Sequence, residues 1–299
     1  MTWQSAIEEY KAHLKLERHL SDNTLASYLN DVTHLRRYAE ERHIAPEQVT
    51  VEDLQLLLSQ LNELDIAITT QCRFISALRS FYKMMLIDDL VSDNPADLLE
   101  MPSRPKHLPD VLSDSDITAI QATFDRSLPD QERNYVIIEV LYGCGLRVSE
   151  LVNLKLADIY AEEQCLMVTG KGDKQRWVPI NERALSLMLT YIHQIRSHQT
   201  PKAGNEKYVF LNRFGTRLSR NYVFMFLKEA VRRSGINKHV SPHSLRHSFA
   251  TELVQNGADL RAVQEMLGHE CISTTEIYTH LSRQFLRDTI EAYHPHYRK

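Results

Sequence analysis

N-P-A-D-L-L-E-M-P-S-R-P-K-H-L-P-D, residues 94 to 110, divides the 299-residue chain into two parts. Pro95, Pro102, Pro105 and Pro109 remove backbone donors and bias their predecessors toward extended backbone, which marks the stretch as a linker rather than a helix. The length fits two domains better than one, and 43% hydrophobic residues can fill a sizeable core. The expected division is residues 1–100, a linker at 101–112, and residues 113–299. Arg104, Lys106 and His107 in the linker could touch a phosphate backbone or simply be solvated.

Upstream of the linker the apolar residues recur at helical spacing and strand signals are absent, so four helices are expected. The first spans Ser5 to Glu17. Caps at Ser21 to Thr24 open a second, with a stripe of Leu25, Tyr28, Leu29, Val32, Leu35 and Tyr38. Thr50 caps a third over Val51 to Leu61, with Asp53 at the N3 place of a capping box. The fourth, from about Thr69 to Leu86, carries Phe74, Ile75, Leu78, Phe81 and Tyr82 on the side expected to be core, and Arg73, Arg79 and Lys83 elsewhere, expected in water.

Downstream, helices return from Ser113. They are interrupted by two strands, Cys165 to Thr169 and Arg176 to Ile180, paired around the loop Gly170-Lys171-Gly172-Asp173-Lys174. Further helices are expected from Glu182 to Arg196 and from about Arg220 to Arg233. The reading is a mainly α protein of two domains, the second with a small β-sheet.

Net charge is −4, which does not suggest a uniformly basic nucleic-acid binder. Its distribution is uneven. Residues 1–100 hold nine Lys plus Arg against seventeen Asp plus Glu, and residues 101–299 hold 26 against 22. Any DNA contact would therefore come from basic residues gathered on one face. Met1 to Leu20 lacks the apolar run of a signal peptide, and no later stretch approaches the roughly 20 apolar residues of a membrane span, so a cytoplasmic protein without membrane insertion is expected. Cys72, Cys144, Cys165 and Cys271 are scattered, as idle thiols of a reducing compartment are.

The candidate chemistry lies in the second half. In Ser241-Pro242-His243-Ser244-Leu245-Arg246-His247, Ser241 can cap a helix and Pro242 suits its first position. His243 and Arg246 then share a face near free backbone N–H groups, a setting suited to an anion, although a polar helix start in water would read the same way. Gly257 stops that helix, and Asp259 opens another whose apolar face is Leu260, Val263, Met266 and Leu267. Gly268 ends it, and His269 follows. Ser273-Thr274-Thr275-Glu276 fits a capping box, placing Tyr278 early on a new helix, where packing is the usual role of a tyrosine. Earlier, Tyr142-Gly143-Cys144-Gly145-Leu146-Arg147-Val148-Ser149-Glu150-Leu151 breaks a helix at two glycines and restarts it at about Arg147. Alone, Arg147 and Glu150 would be a surface ion pair.

Together, G-L-R-V-S-E-L at 145–151, G-K-G at 170–172, H-S-L-R-H at 243–247, L-G-H at 267–269 and S-T-T-E-I-Y-T-H at 273–280 resemble the tyrosine site-specific recombinase (phage integrase) family. N-T-L-A-S-Y at 23–28, I-S-A-L-R-S-F-Y at 75–82 and D-N-P-A at 93–96 look like the core-binding domain of its Xer type, so the resemblance covers nearly the whole chain. It implies a four-helix, SAM-like core-binding domain followed by an α-rich catalytic domain. The implied reaction is site-specific DNA recombination through a 3′-phosphotyrosine intermediate, serving chromosome dimer resolution at cell division.

By the same resemblance the catalytic residues are Arg147, Lys171, His243, Arg246, His269 and Tyr278, with Glu150 orienting Arg147. Tyr278 is the nucleophile, Lys171 the general acid and His243 the proton acceptor. Neither ATP nor a metal is implied, and the chain shows no G-x-x-x-x-G-K loop and no carboxylate cluster for two metal ions. Implied partners are a double-stranded recombination site, a second Xer-type recombinase in a tetramer on two duplexes, and a septal DNA translocase. The family also passes a C-terminal segment between subunits. Leu281, Phe285, Leu286 and Ile290 could be its apolar face, or could pack on their own domain, while His294, His296 and Arg298 are expected in solvent. A type IB topoisomerase is disfavoured by chain length and the Xer-like first domain, and a non-cleaving DNA binder by the full residue set.

Overall fold

A computed structural model describes the chain apart from residues 17, 19–21, 64–65, 103–109, 171–172, 269–282 and 298–299, and apart from the side chains at 23, 62–63, 283–287 and 297. It separates into two compact units, Met1–His107 and Leu108–Lys299. Arg104, Lys106 and His107 lie outside the described residues.

The first unit is built from α1 (Trp3–Leu16), α2 (Asp22–Glu40), α3 (Val51–Glu63) and α4 (Ile68–Ile87), with no strand among the described residues. The α3 start has the reciprocal bonds of a capping box: Thr50 N–H donates to Asp53 at 3.0 Å and Asp53 N–H to the Thr50 hydroxyl at 3.3 Å. On α4 the aromatic stripe is core, with Phe81 edge-on to Tyr10 at 5.3 Å between ring centroids. Two of its basic residues are not simply solvated. Arg73 pairs with buried Asp31 and donates to the Ser27 carbonyl, and Arg79 donates to the Ala96 and Leu99 carbonyls at 3.1 and 2.6 Å. Arg73 gives buried Asp31 a charged partner, and Arg79 adds a second donor to the Ala96 carbonyl, which also accepts from Leu99 N–H at 3.3 Å, contacts that helical periodicity does not reveal.

The second unit contains α5 (Asp114–Gln121), α6 (Pro129–Cys144), α7 (Val148–Asn153), β1 (Ile159–Tyr160), β2 (Cys165–Thr169), β3 (Gln175–Pro179), α8 (Glu182–Gln194), α9 (Arg220–Ser234), α10 (Pro242–Gln255), α11 (Leu260–Leu267) and α12 (Arg283–Tyr293). Helix α6 is buried on every side, from Val136 through Cys144, as expected of a central helix. The sheet is antiparallel in the order β1-β2-β3, with Val168 opposite Arg176 and Thr169 opposite Gln175. The two-residue β1 is too short to leave an alternation in the sequence.

The expected apolar face of α11 needs one correction. Ala262, Val263, Met266 and Leu267 are buried, but Leu260 is 59% exposed, because it sits at the first helical position beyond the edge of that core. Cys72, Cys144 and Cys165 are buried thiols outside any disulfide, and Cys271 lies outside the described residues. No helix among the described residues is long and apolar enough to cross a membrane.

The C-terminal histidines are packed rather than solvated. Ile290 joins Phe249, Leu253 and Met266 in a core of its own unit, and His294 is fully buried, its ring 5.1 Å from those of Tyr142 and Phe249. His296 bridges Glu139 of α6, at 2.9 Å, and Asp114 of α5. Leu281, Arg298 and the side chains of Phe285 and Leu286 lie outside the described residues. Burial pushes His294 down to about 3. Burial would also lower His296, yet its bonds to Glu139 and Asp114 hold it above the ordinary histidine value.

Because the folded value is raised, the stability from His296 is fully present below its unfolded pKa of about 6.5 and is lost as pH rises through the folded value. His296→Ala should therefore cost about 1–3 kcal/mol at pH 6 and less at pH 9, since it strips a partner from a buried carboxylate. Denaturant titrations of parent and variant at both values check this, and an equal deficit at the two would contradict it.

Candidate active site

The site begins with a chain reversal. Gly145 follows α6 at φ +59°, and a Cβ there would lie 2.4 Å from the Phe249 ring, so both the left-handed backbone and the close packing require glycine. The turn lets Arg147 cap α7 and leaves the Gly145 carbonyl facing α10. Glu150, at N3 of α7, accepts from the Arg147 backbone N–H at 2.8 Å and from its guanidinium Nη1 at 2.9 Å. The pair read from sequence as a surface contact is thus half inside the protein: the Glu150 side chain is 1% exposed and that of Arg147 is 29% exposed.

Arg246 projects from α10, where Ser241 accepts from Ser244 N–H at 3.2 Å and Pro242 occupies the first position. Its guanidinium is buried, donating through Nη1 to the Gly145 carbonyl at 2.7 Å and through Nη2 to the Leu267 carbonyl. Nη1 also lies 3.9 Å from Glu150. His243, one turn earlier on α10, is exposed. Lys171, His269 and Tyr278 lie outside the described residues. Of the seven site residues read from sequence, Arg147, Glu150 and Arg246 form one connected cluster.

Sequence reading missed a third arginine. Arg176, the second residue of β3, grips both Glu150 oxygens, Nη1 to Oε1 at 2.7 Å and Nη2 to Oε2 at 2.9 Å, and donates Nε to the Met266 carbonyl at 2.8 Å. The only local signal is a charged residue at a strand start, and its partners are 26 and 90 residues away.

The C-terminal end of α11 ties these side chains together. The carbonyls of Met266, Leu267 and Gly268 accept from Arg176, Arg246 and Arg147 respectively, the last at 3.0 Å. Final-turn carbonyls lack intrahelical partners and carry the negative end of the helix dipole, so this is a place where guanidinium groups are stabilised. Gly268 closes the helix at φ +63°.

Like charge nevertheless accumulates. Burial, together with neighbouring Arg147 and Arg176, pushes Arg246 down to about 10, with Glu150 acting in the opposite sense. Burial would raise the Glu150 carboxyl, but the bonds from Arg176 and Arg147 hold it below the usual carboxylate range. At neutral pH three guanidinium groups therefore share one carboxylate. An anion placed against Arg147 and Arg246 would relieve the surplus, and paired oxygens of a phosphate suit the planar fork of a guanidinium.

Residues 110–284 match the phage integrase family, and residues 7–87 match the N-terminal SAM-like domain of phage integrases. The chain is 37% identical to tyrosine recombinase XerD of Chlorobaculum tepidum, over 98% of this chain and 97% of that protein. It is 38% identical to tyrosine recombinase XerD of Oceanobacillus iheyensis, over 97% and 98% respectively. A crystal structure of a lambda integrase(75-356) dimer bound to a COC′ core site superposes with a TM-score of 0.70 at 18% identity, over 94% of this chain and 100% of that one, a likeness of fold.

Proposed function

The chain belongs to the phage integrase family and is a tyrosine recombinase of the Xer type, and from that premise we propose that it exchanges DNA strands at a specific site through a 3′-phosphotyrosine bond at Tyr278. The observation that carries this reading is the surplus of guanidinium charge around Glu150, with Arg147 and Arg246 held by backbone carbonyls of a helix end and a turn.

A phosphodiester is an anion that repels nucleophiles, so attack on phosphorus needs donors placed where charge gathers on the non-bridging oxygens. Arg147 and Arg246 supply them, and their fixed partners mean little reorganisation is needed when that charge develops. His243 and His269 add hydrogen bonds to the same phosphate. The Tyr278 hydroxyl gives its proton to His243 and attacks phosphorus, and the bond from phosphorus to the 5′ oxygen breaks. That oxygen would leave as an alkoxide, so Lys171 protonates it. The tyrosyl phosphate diester keeps the energy of the broken linkage. A 5′ hydroxyl from a second strand can then reverse the steps on a new partner.

Exchange between two duplexes calls for four protomers, completed by a second Xer-type recombinase, with a septal DNA translocase as a further partner. The reading places this work in the cytoplasm, in chromosome dimer resolution. The test is to denature the protein rapidly in its host, recover the DNA bound to it covalently and sequence that DNA. A plasmid carrying two copies of the recovered site should then be resolved into two circles by the purified protein and its partner recombinase. Relaxation of supercoils without resolution would point to a topoisomerase, and binding without either would point to a non-cleaving DNA binder.

A further inference from the structure

Resting on the recombinase reading, we propose that Arg176 is a positioning residue for strand cleavage: it locks Glu150 and the end of α11 into the arrangement that aims Arg147 and Arg246, and fixes the base of the 170–174 loop against them.

Three observations carry this. First, Arg176 engages all three of its nitrogens within the protein, and its side chain is only 14% exposed, so its effect reaches the phosphate through its neighbours. Second, Glu150 has two oxygens and several suitors. Arg147 takes one through its guanidinium and the other through its backbone N–H, and Arg246 stands 3.9 Å away. Without the two parallel bonds from Arg176, the carboxylate would be free to turn toward Arg246 and release Arg147. Third, Arg176 pairs with Val168 in the hairpin, and the loop above closes through a 2.8 Å bond from Gly170 N–H to the Lys174 carbonyl. The bond from Arg176 to Met266 thus joins the base of the loop containing Lys171 to the helix end whose carbonyls hold the other two arginines. Gly268 makes room for that bond, since a Cβ there would sit 3.2 Å from Arg176 Cδ and Nε.

Lysine at this position keeps the charge and most of the stem but cannot hold two carboxylate oxygens and a carbonyl from one planar group. Arg176→Lys is therefore the informative variant. The probe is a nicked duplex carrying the DNA sequence recovered by covalent trapping, with single-turnover adduct formation measured at saturating protein. All proteins are compared at a temperature where circular dichroism shows them folded, with Arg176→Gln substituted should the lysine variant not fold.

We expect adduct formation to slow by about ten- to a hundredfold, the usual range for losing a supporting contact, with the affinity for the duplex unchanged. Combining Arg176→Lys with Glu150→Gln should cost clearly less than the product of the two single losses, because the two share the Arg176–Glu150 contact. A variant that cleaves at the parental rate, or losses that multiply in the double variant, would overturn the proposal while leaving the recombinase reading intact. A parent protein that forms no adduct on its own trapped sequence would overturn both.

Discussion

Tyr278→Phe is expected to bind the recombination duplex as the parent does and to form no covalent adduct on its nicked form. The substitution removes only the hydroxyl oxygen and leaves the three arginines around Glu150 unchanged in sequence. An unperturbed tyrosine hydroxyl ionises near pH 10 and is a weak nucleophile at neutral pH, which is why the proposed mechanism places it beside a proton acceptor and guanidinium groups. Without that oxygen no side route restores the same bond. The loss should be on the order of 10⁴-fold or more, the scale seen when a covalent nucleophile is deleted. Gel shift and denaturing electrophoresis of the same reactions separate the two steps. Parental levels of adduct would assign the nucleophile elsewhere.

Arg246→Ala should slow strand cleavage by at least about 10²-fold, the cost of removing one donor from a developing oxyanion. It should also lower stability, because the Gly145 and Leu267 carbonyls lose their guanidinium partner, at about 1–3 kcal/mol for buried acceptors left unpaired. These effects are separable: cleavage is compared below the melting transition of both proteins, and stability by denaturant. Arg246→Lys should recover part of the stability but little of the rate, since an ammonium cannot bridge two acceptors in the geometry of the fork. Cleavage at the parental rate by Arg246→Ala would remove this residue from the site.

What the sequence revealed about the fold was mostly local. Thr50 with Asp53, Ser241 with Pro242, Asp259 accepting from Arg261 and Ala262, and Gly268 at the α11 terminus are all signals within a few residues of the feature they set. The aromatic stripe of α4 was legible for the same reason, because one face of a helix repeats at short spacing. Features made by distant pairing were not. Arg176 gains its meaning from Glu150 and Met266, and the His296 contact with Glu139 spans 157 residues. A charged residue with a distant buried partner looks, in sequence, like one in water. Arg73 and Arg79 look that way too, and Leu260 looks like core because periodicity does not say where the neighbouring surface ends.

The site divides similarly. Arg147 and Glu150 were legible as a pair from their i, i+3 spacing, but not the burial that turns the pair into a brace for other arginines. That Arg246 joins them depends on the Gly145 turn and on the end of α11, segments that packing alone brings together.

The most direct measurement is of the covalent bond itself. Protein trapped on a nicked duplex of its own site is digested with nuclease and protease, and the peptide retaining a nucleotide is sequenced by mass spectrometry. The proposed mechanism predicts a single modified peptide, with the nucleotide joined through its 3′ phosphate to the Tyr278 oxygen. A nucleotide on any other side chain, or a linkage through the 5′ phosphate, would contradict it.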